Sequence, residues 1–221
     1  MQEIEAKFYV RDLKQLESRI QKLDAHLMQP RILETNLRFD LPDGGLRSKG
    51  QVLRLRQDIE AKLTYKGASK SEQGIVNRTE IEFVVEDFEK AKLFLEVLGY
   101  QKLFQYDKYR TTYVLESGSS SHSQGVLSKI HEQAHGFHTC QIMLDELPYG
   151  NFVEIEGEDI ESIHAIANKL NLNLNASIQA SYSTLFEHVC QTLGLTFTDL
   201  TFENFAGINV LPEHLQVQPA D

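Results

Sequence analysis

Charge at every second position, repeated in six short stretches, constrains this chain more than any other feature of its 221 residues. Glu3, Glu5 and Lys7 alternate with Ile4, Ala6 and Phe8, and Arg54 and Arg56 alternate with Leu53 and Leu55. Lys62, Thr64 and Lys66 oppose Leu63 and Tyr65, while Arg78, Glu80 and Glu82 oppose Ile81 and Phe83. Lys108, Arg110 and Thr112 flank Tyr109 and Tyr113, and Glu154 and Glu156 flank Val153 and Ile155. Side chains two apart on a strand share a face, so each stretch reads as a strand with one ionised and one apolar side. One such strand would ordinarily turn its polar side to water. Six of them, nearly saturated with charges of both signs, point instead to a barrel. Its apolar faces then pack outward against helices, and its charged faces line the lumen.

The rest of the chain fits that reading. Strands are expected over 3–9, 32–40, 51–57, 60–66, 76–85, 101–115, 139–145 and 151–157. Helices are expected over 11–27, 87–98, 159–170, 177–193 and 198–205. The spacing thus predicts an α+β fold, an eight-stranded antiparallel closed β-barrel with helices packed outside. Residues 1–195 are expected to form this domain and 196–221 a C-terminal helix and tail. The Ser- and His-rich stretch 117–136 reads as a flexible loop inserted between two strands.

Totals narrow the function. A net charge of −10 argues against nucleic acid or an anionic membrane as the partner. No apolar run reaches the roughly 18 residues of a membrane span, and the charged N-terminus is not a secretory signal. Cys140 and Cys190 lack metal-type spacing and read as reduced thiols of a cytoplasmic protein. A closed barrel has no edge strand to pair, so a homodimer would have to use helices or the tail.

A lumen holding this many ions is costly to desolvate, and mutual pairing offsets part of that cost. A ligand with several negative charges, accompanied by cations, would satisfy it. Clustered carboxylates bind Mg²⁺ or Mn²⁺ through oxygen. Arg offers planar forks to phosphate and Lys offers point charges. A small-molecule polyphosphate with a divalent metal answers both halves.

These residues carry a resemblance. Glu-x-Glu-x-Lys at 3–7 resembles the signature of the CYTH superfamily, the triphosphate tunnel metalloenzymes, which include class IV adenylyl cyclases, thiamine triphosphatases and inorganic tripolyphosphatases. Further similar motifs follow in the family's order: Leu-Arg-Leu-Arg at 53–56, Leu-Thr-Tyr-Lys-Gly at 63–67 and Arg-Thr-Glu-Ile-Glu at 78–82. Lys-Tyr-Arg at 108–110 and Phe-Val-Glu-Ile-Glu-Gly at 152–157 come next, and Asp145-Glu-Leu-Pro-Tyr-Gly150 and Ser181-Tyr182, opening a late helix, also fit. The resemblance implies a triphosphate tunnel in which Glu3, Glu5, Glu154 and Glu156 hold the metal. Glu80, Glu82 and Asp145 would support that metal or a second one. Lys7, Arg54, Arg56, Lys66, Arg78, Lys108 and Arg110 would clamp the triphosphate, and Glu3, Glu5, Lys7, Glu80 and Glu82 would form the catalytic set.

The activity expected is metal-dependent hydrolysis of tripolyphosphate, thiamine triphosphate or a nucleoside triphosphate. The alternatives are a class IV cyclase converting ATP to cyclic AMP and pyrophosphate, and a non-catalytic polyphosphate- or nucleotide-binding module. Absence of a His-Phe pair before the first glutamates weighs against the cyclase. Lys62 lies on the inward face but near a strand end, and Arg38 suits either a phosphate contact or the rim. His122, His131, His135 and His138 have no regular ligand spacing. Tyr106, Tyr109 and Tyr113 read as packing residues, and Ser181 as a helix N-cap.

Overall fold

The strand alternation is realised as a continuous ring of antiparallel pairs. The computed structural model describes residues 2–117 and 138–221. Its strands are β1 (Gln2–Val10), β2 (His26–Asp40), β3 (Val52–Gln57), β4 (Ala61–Lys66), β5 (Lys70–Glu72), β6 (Ile75–Val85), β7 (Gln101–Ser117), β8 (His138–Leu147) and β9 (Gly150–Glu156). Its helices are α1 (Leu13–Gln21), α2 (Phe88–Val97), α3 (Ile160–Lys169), α4 (Tyr182–Leu193) and α5 (Pro212–Leu215). The sheet runs β1-β9-β8-β7-β2-β3-β4-β6, and β6 pairs back onto β1. Eight strands therefore close, as expected, and short β5 pairs with β6 alone.

The register sets the charged residues side by side. Glu3 is opposite Arg78, Glu5 opposite Glu156, and Lys7 opposite Glu154. On the other wall Arg54 faces Thr64, Thr64 faces Glu82, and Lys66 faces Glu80. The alternating apolar faces point outward, so two of the three core clusters lie outside the ring. Phe8, Ile142, Ile155, Ile163 and Ile166 form one cluster beneath α1 and α3. Phe152, Phe186, Val189, Leu200 and Phe205 belong to a second, around α4, which closes one end of the ring through the inward-facing Phe152. Leu37, Phe39, Leu53, Leu55 and Leu95 form a third under α2. Helices leave part of β6 bare, where Ile81 and Phe83 are each 54% exposed.

Several elements differ from the sequence-based expectation. The first helix stops at Gln21, and Asp24 turns the chain at φ 58. Residues from His26 onward are drawn into a long pairing with β7. Lys70–Glu72, expected as loop, forms β5 through a tight turn with positive φ at Gln73 and Gly74, the geometry that two-residue hairpins favour. The late helix begins at Tyr182, because Ser177 and Ile178 are extended against Phe8 and Lys7 of β1. Residues 198–205 form turns, not a helix. Leu200 there exchanges backbone hydrogen bonds with Gln105 and Asp107 of β7. All but the first residue of the 117–136 loop, with His122, His131 and His135, lies outside the described residues. No described helix is long and apolar enough to cross a membrane.

Candidate active site

The ring encloses a cavity of about 1130 Å³. Every sequence-predicted site residue lines it except Asp145. Lys62 lines it too, with its ammonium 3.7 Å from Glu82.

One part of the lumen gathers carboxylates. Glu3 accepts from Arg78 Nε at 2.7 Å and from Lys66. Burial alone would raise the Glu3 carboxyl, but Lys66 and Arg78 outweigh it and hold it at about 2. Arg78 also reaches Glu5 at 3.4 Å, and Lys66 reaches Glu80 at 3.2 Å. Glu156 forms no ion pair or hydrogen bond among the described residues. Burial, then the facing Glu3, Glu5 and Glu80, lifts its carboxyl to about 7. Glu80 is likewise raised, by burial against the opposing pull of Lys66 and with Glu3 beside it.

Deeper in, β7, β8 and β9 hold a tighter network. Lys7 stands 3.2 Å from Glu154, and Arg110 bonds Glu154 as well. Arg110 grips Asp145 with a two-pronged fork, both bonds 2.6 Å, the strongest carboxylate geometry available to Arg. Lys108 at 2.9 Å and the Tyr182 hydroxyl at 2.8 Å also donate to Asp145. Asp145 is 0% exposed. Its oxygens are committed to these four bonds, so it holds the cations rather than facing the cavity.

Glu34 pairs with Arg56 at 3.8 Å and Lys108 at 3.5 Å. Burial would raise its carboxyl, but Lys108, Arg110 and Arg56 hold it at about 2. On the far wall Glu82 accepts from Thr64 at 2.8 Å and from Arg54 at 3.3 Å.

The lumen is filled at one end by aromatic rings. Tyr9 shares the inward face with Lys7, and Phe152 shares it with Glu154. Phe152 meets Tyr9, Tyr182 and Tyr149 edge-on at 5.2–5.8 Å. Gly150 permits this approach, since a Cβ there would come within 2.8 Å of the Tyr9 ring. Lys7 lies 4.4 Å from the Tyr182 ring centre, within cation–π range. Ser181 caps α4 by accepting from the Thr184 amide, as its position suggested.

Glu34, Asn36 and Arg38 were not singled out as a face from sequence, although they share one side of β2 by the same two-residue period. Tyr106, read from sequence as a packing residue, and Tyr182 also reach the lumen.

The donors suit a hard divalent cation, being carboxylates throughout. Among the described residues no three metal-binding side chains already converge. The orphaned Glu156 carboxylate and its three acidic neighbours nevertheless form a repulsive cluster that a dication would neutralise.

A sequence profile of the CYTH domain matches residues 1–182. No curated protein matches significantly. Among solved structures, a proposed adenylate cyclase from Vibrio parahaemolyticus aligns at TM-score 0.64 and 19% identity, covering 84% of this chain and 97% of that one. A Pyrococcus horikoshii protein aligns at 0.59 and 22%, covering 81% and 96%. A proposed adenylyl cyclase from Hippeastrum, described as having a dominant triphosphatase activity, aligns at 0.52 and 17%, covering 98% and 100%. At these identities the likeness speaks for the fold. With the profile spanning most of its length and the closed barrel in place, the chain belongs to the CYTH domain family.

Proposed function

We propose that the chain is a divalent-metal-dependent hydrolase of a small triphosphate. One observation carries the reading: a single enclosed lumen sets Glu3, Glu5, Glu80 and Glu156 beside a wall of Arg and Lys. That pairing of a cation-seeking patch with a phosphate-seeking wall suits a metal–triphosphate complex.

Glu3, Glu5, Glu154 and Glu156 would hold Mg²⁺ or Mn²⁺, which when bound supplies charge neutralisation and polarisation at phosphate oxygens. We take Asp145 out of the expected ligand set and give it the task of orienting Lys108 and Arg110. Those two, with Lys7, Arg54, Arg56, Lys66 and Arg78, bind phosphate oxygens and offset charge moving onto the leaving group. Water attacks the terminal phosphorus in line, forming one P–O bond as the anhydride P–O bond breaks. Glu80, whose carboxyl is raised by burial, takes the proton from the attacking water. With tripolyphosphate the products are orthophosphate and diphosphate. Two free thiols accord with a cytoplasmic setting.

The test is to incubate the protein with tripolyphosphate, thiamine triphosphate and ATP, with Mg²⁺ or Mn²⁺, and identify products. Orthophosphate release is expected, and Glu80→Gln should slow it by about 10²–10⁴-fold. Cyclic AMP with pyrophosphate as the main products would overturn the proposal in favour of the cyclase. Binding without turnover of any triphosphate would leave a non-catalytic module.

A further inference from the structure

Helix α2 lacks the polar side that a surface helix ordinarily turns to water. Phe88, Ala91 and Leu95 face the sheet, where they join Leu63 and Val85 in the cluster built on Leu53 and Leu55. Leu93 and Val97, and likewise Phe94 and Leu98, are four residues apart and project away from that cluster. All four are more than half exposed. Among the described helices, α2 alone carries large exposed hydrophobic residues.

The bare outer face of β6 continues this surface. Phe83 is paired with Leu63 of β4 and lies one pleat from Val85 on the same face, so it borders the cluster under α2. Ile81 follows one pleat further on. Together these six side chains expose roughly 700 Å² of apolar surface, above the roughly 300–600 Å² of the largest patch on an ordinary monomer. An anionic bilayer does not suit it. The chain carries a net charge of −10, and Glu86, Glu89 and Glu96 are exposed beside the apolar stripe, where such a membrane would repel them.

A second copy of the chain suits it in area and in charge. Roughly 700 Å² is close to the roughly 800 Å² that each partner gives to an interface of standard size. One charged residue, Lys90, sits on the outward stripe; its side chain is 85% exposed, and its ammonium is 3.0 Å from Asp87 of its own helix. If two α2 helices cross antiparallel about Leu93 and Phe94, the turn bearing Lys90 falls beside the partner turn bearing Glu96. Two-fold symmetry repeats that pair, so stripe and rim are self-complementary, as an isologous contact requires. A closed ring offers no edge strand for the purpose. We propose that this face is a homodimer interface, with α2 packed antiparallel on α2 of the second copy and β6 flanking it. The inference does not depend on the hydrolase reading.

Sedimentation equilibrium of the parent and of three variants tests it. The parent should reach twice the chain's 25.3 kDa above about 10 µM, since interfaces of this size hold at micromolar concentration or below. Val97→Glu places two like charges at the centre and should weaken association at least about 100-fold. It should keep cooperative melting, because Val97 is exposed in the single chain. Lys90→Glu should weaken association about three- to tenfold, and Lys90→Glu with Glu96→Lys should restore it. A Val97→Glu or Lys90→Glu protein that associates as the parent does overturns the assignment. So does a Lys90→Glu loss that Glu96→Lys fails to reverse. A parent still monomeric at about 100 µM overturns it as well; its co-sedimentation with neutral phosphatidylcholine vesicles would then give the face to a bilayer.

Discussion

Glu156 faces Glu3, Glu5 and Glu80 across the lumen, and burial together with those carboxylates lifts its carboxyl to about 7. The sign of the consequence follows from linkage. Below its unfolded value of 4.5 the group is protonated in both states and carries no penalty. As pH rises from there through 7, the unfolded chain ionises first, so folded stability falls, and above 7 the penalty is complete. Glu156→Gln keeps the shape and removes the charge. In metal-free buffer the variant should melt with the parent near pH 4.5 and above it at pH 8, by scanning calorimetry in EDTA. Turnover should collapse at the same time, because the carboxylate that costs stability in metal-free buffer is the one the metal would use. Equal melting temperatures at pH 8 would show that Glu156 is not held against its neighbours as described. Glu34 has the opposite sign. Held at about 2, it contributes stability above the unfolded value that is lost as pH falls.

The elements show which parts of this site a sequence can disclose. Period-two charge found the strands and put thirteen of the expected site residues on the lumen wall, because strand parity is set by local geometry. The same parity, carried into β2, reaches Glu34, Asn36 and Arg38, so those were legible in principle. Depth was not. Asp145 lies on the same face as lumen-lining Gln141 and Met143, but α4 brings Tyr182 over it from a distant part of the chain. Residues 198–205 failed for a related reason: their spaced apolar side chains suit a helix, yet pairing of Leu200 with β7 decides their conformation. The turn after β2 is held by one side chain. Asp40 accepts from the amides of Leu41 at 2.7 Å, Leu46 at 2.8 Å and Arg47 at 3.0 Å, fixing the segment from which Arg47 reaches Glu187 at 2.7 Å on α4. Asp40→Ala should cost about 1–3 kcal/mol. It should also speed amide exchange at Leu46 and Arg47 selectively. Unaltered exchange at those two amides would mean the turn is held by its backbone alone.

At the scale of the molecule, the usual arrangement of a small barrel is inverted, with ions inside and the apolar core between the ring and its helices. Stability must then come from what is laid on the outside and from the aromatic plug at one end. The last residues of the chain act on both. Ala220 is 4% exposed; its amide donates to the Tyr9 carbonyl at 2.9 Å and its carbonyl accepts from Asn173 at 2.9 Å. Asp221 accepts from the amides of Arg11 and Asp12 at 3.0 Å. These contacts pin the outer end of β1, where Tyr9 enters the plug against Phe152. Four hydrogen bonds at about 1 kcal/mol each, less the entropy of ordering the segment, leave roughly 3 kcal/mol. Deleting residues 218–221 should therefore lower the melting temperature by roughly 6–12 °C. The lumen charges belong to strands paired on both sides and do not touch this segment. Turnover at 25 °C should then stay within about threefold of the parent. An unchanged melting temperature would show that the tail is appended to the barrel without supporting it. A lost turnover in a protein that still melts cooperatively would show that the plug, and with it the Tyr182–Asp145 contact, depends on the strap.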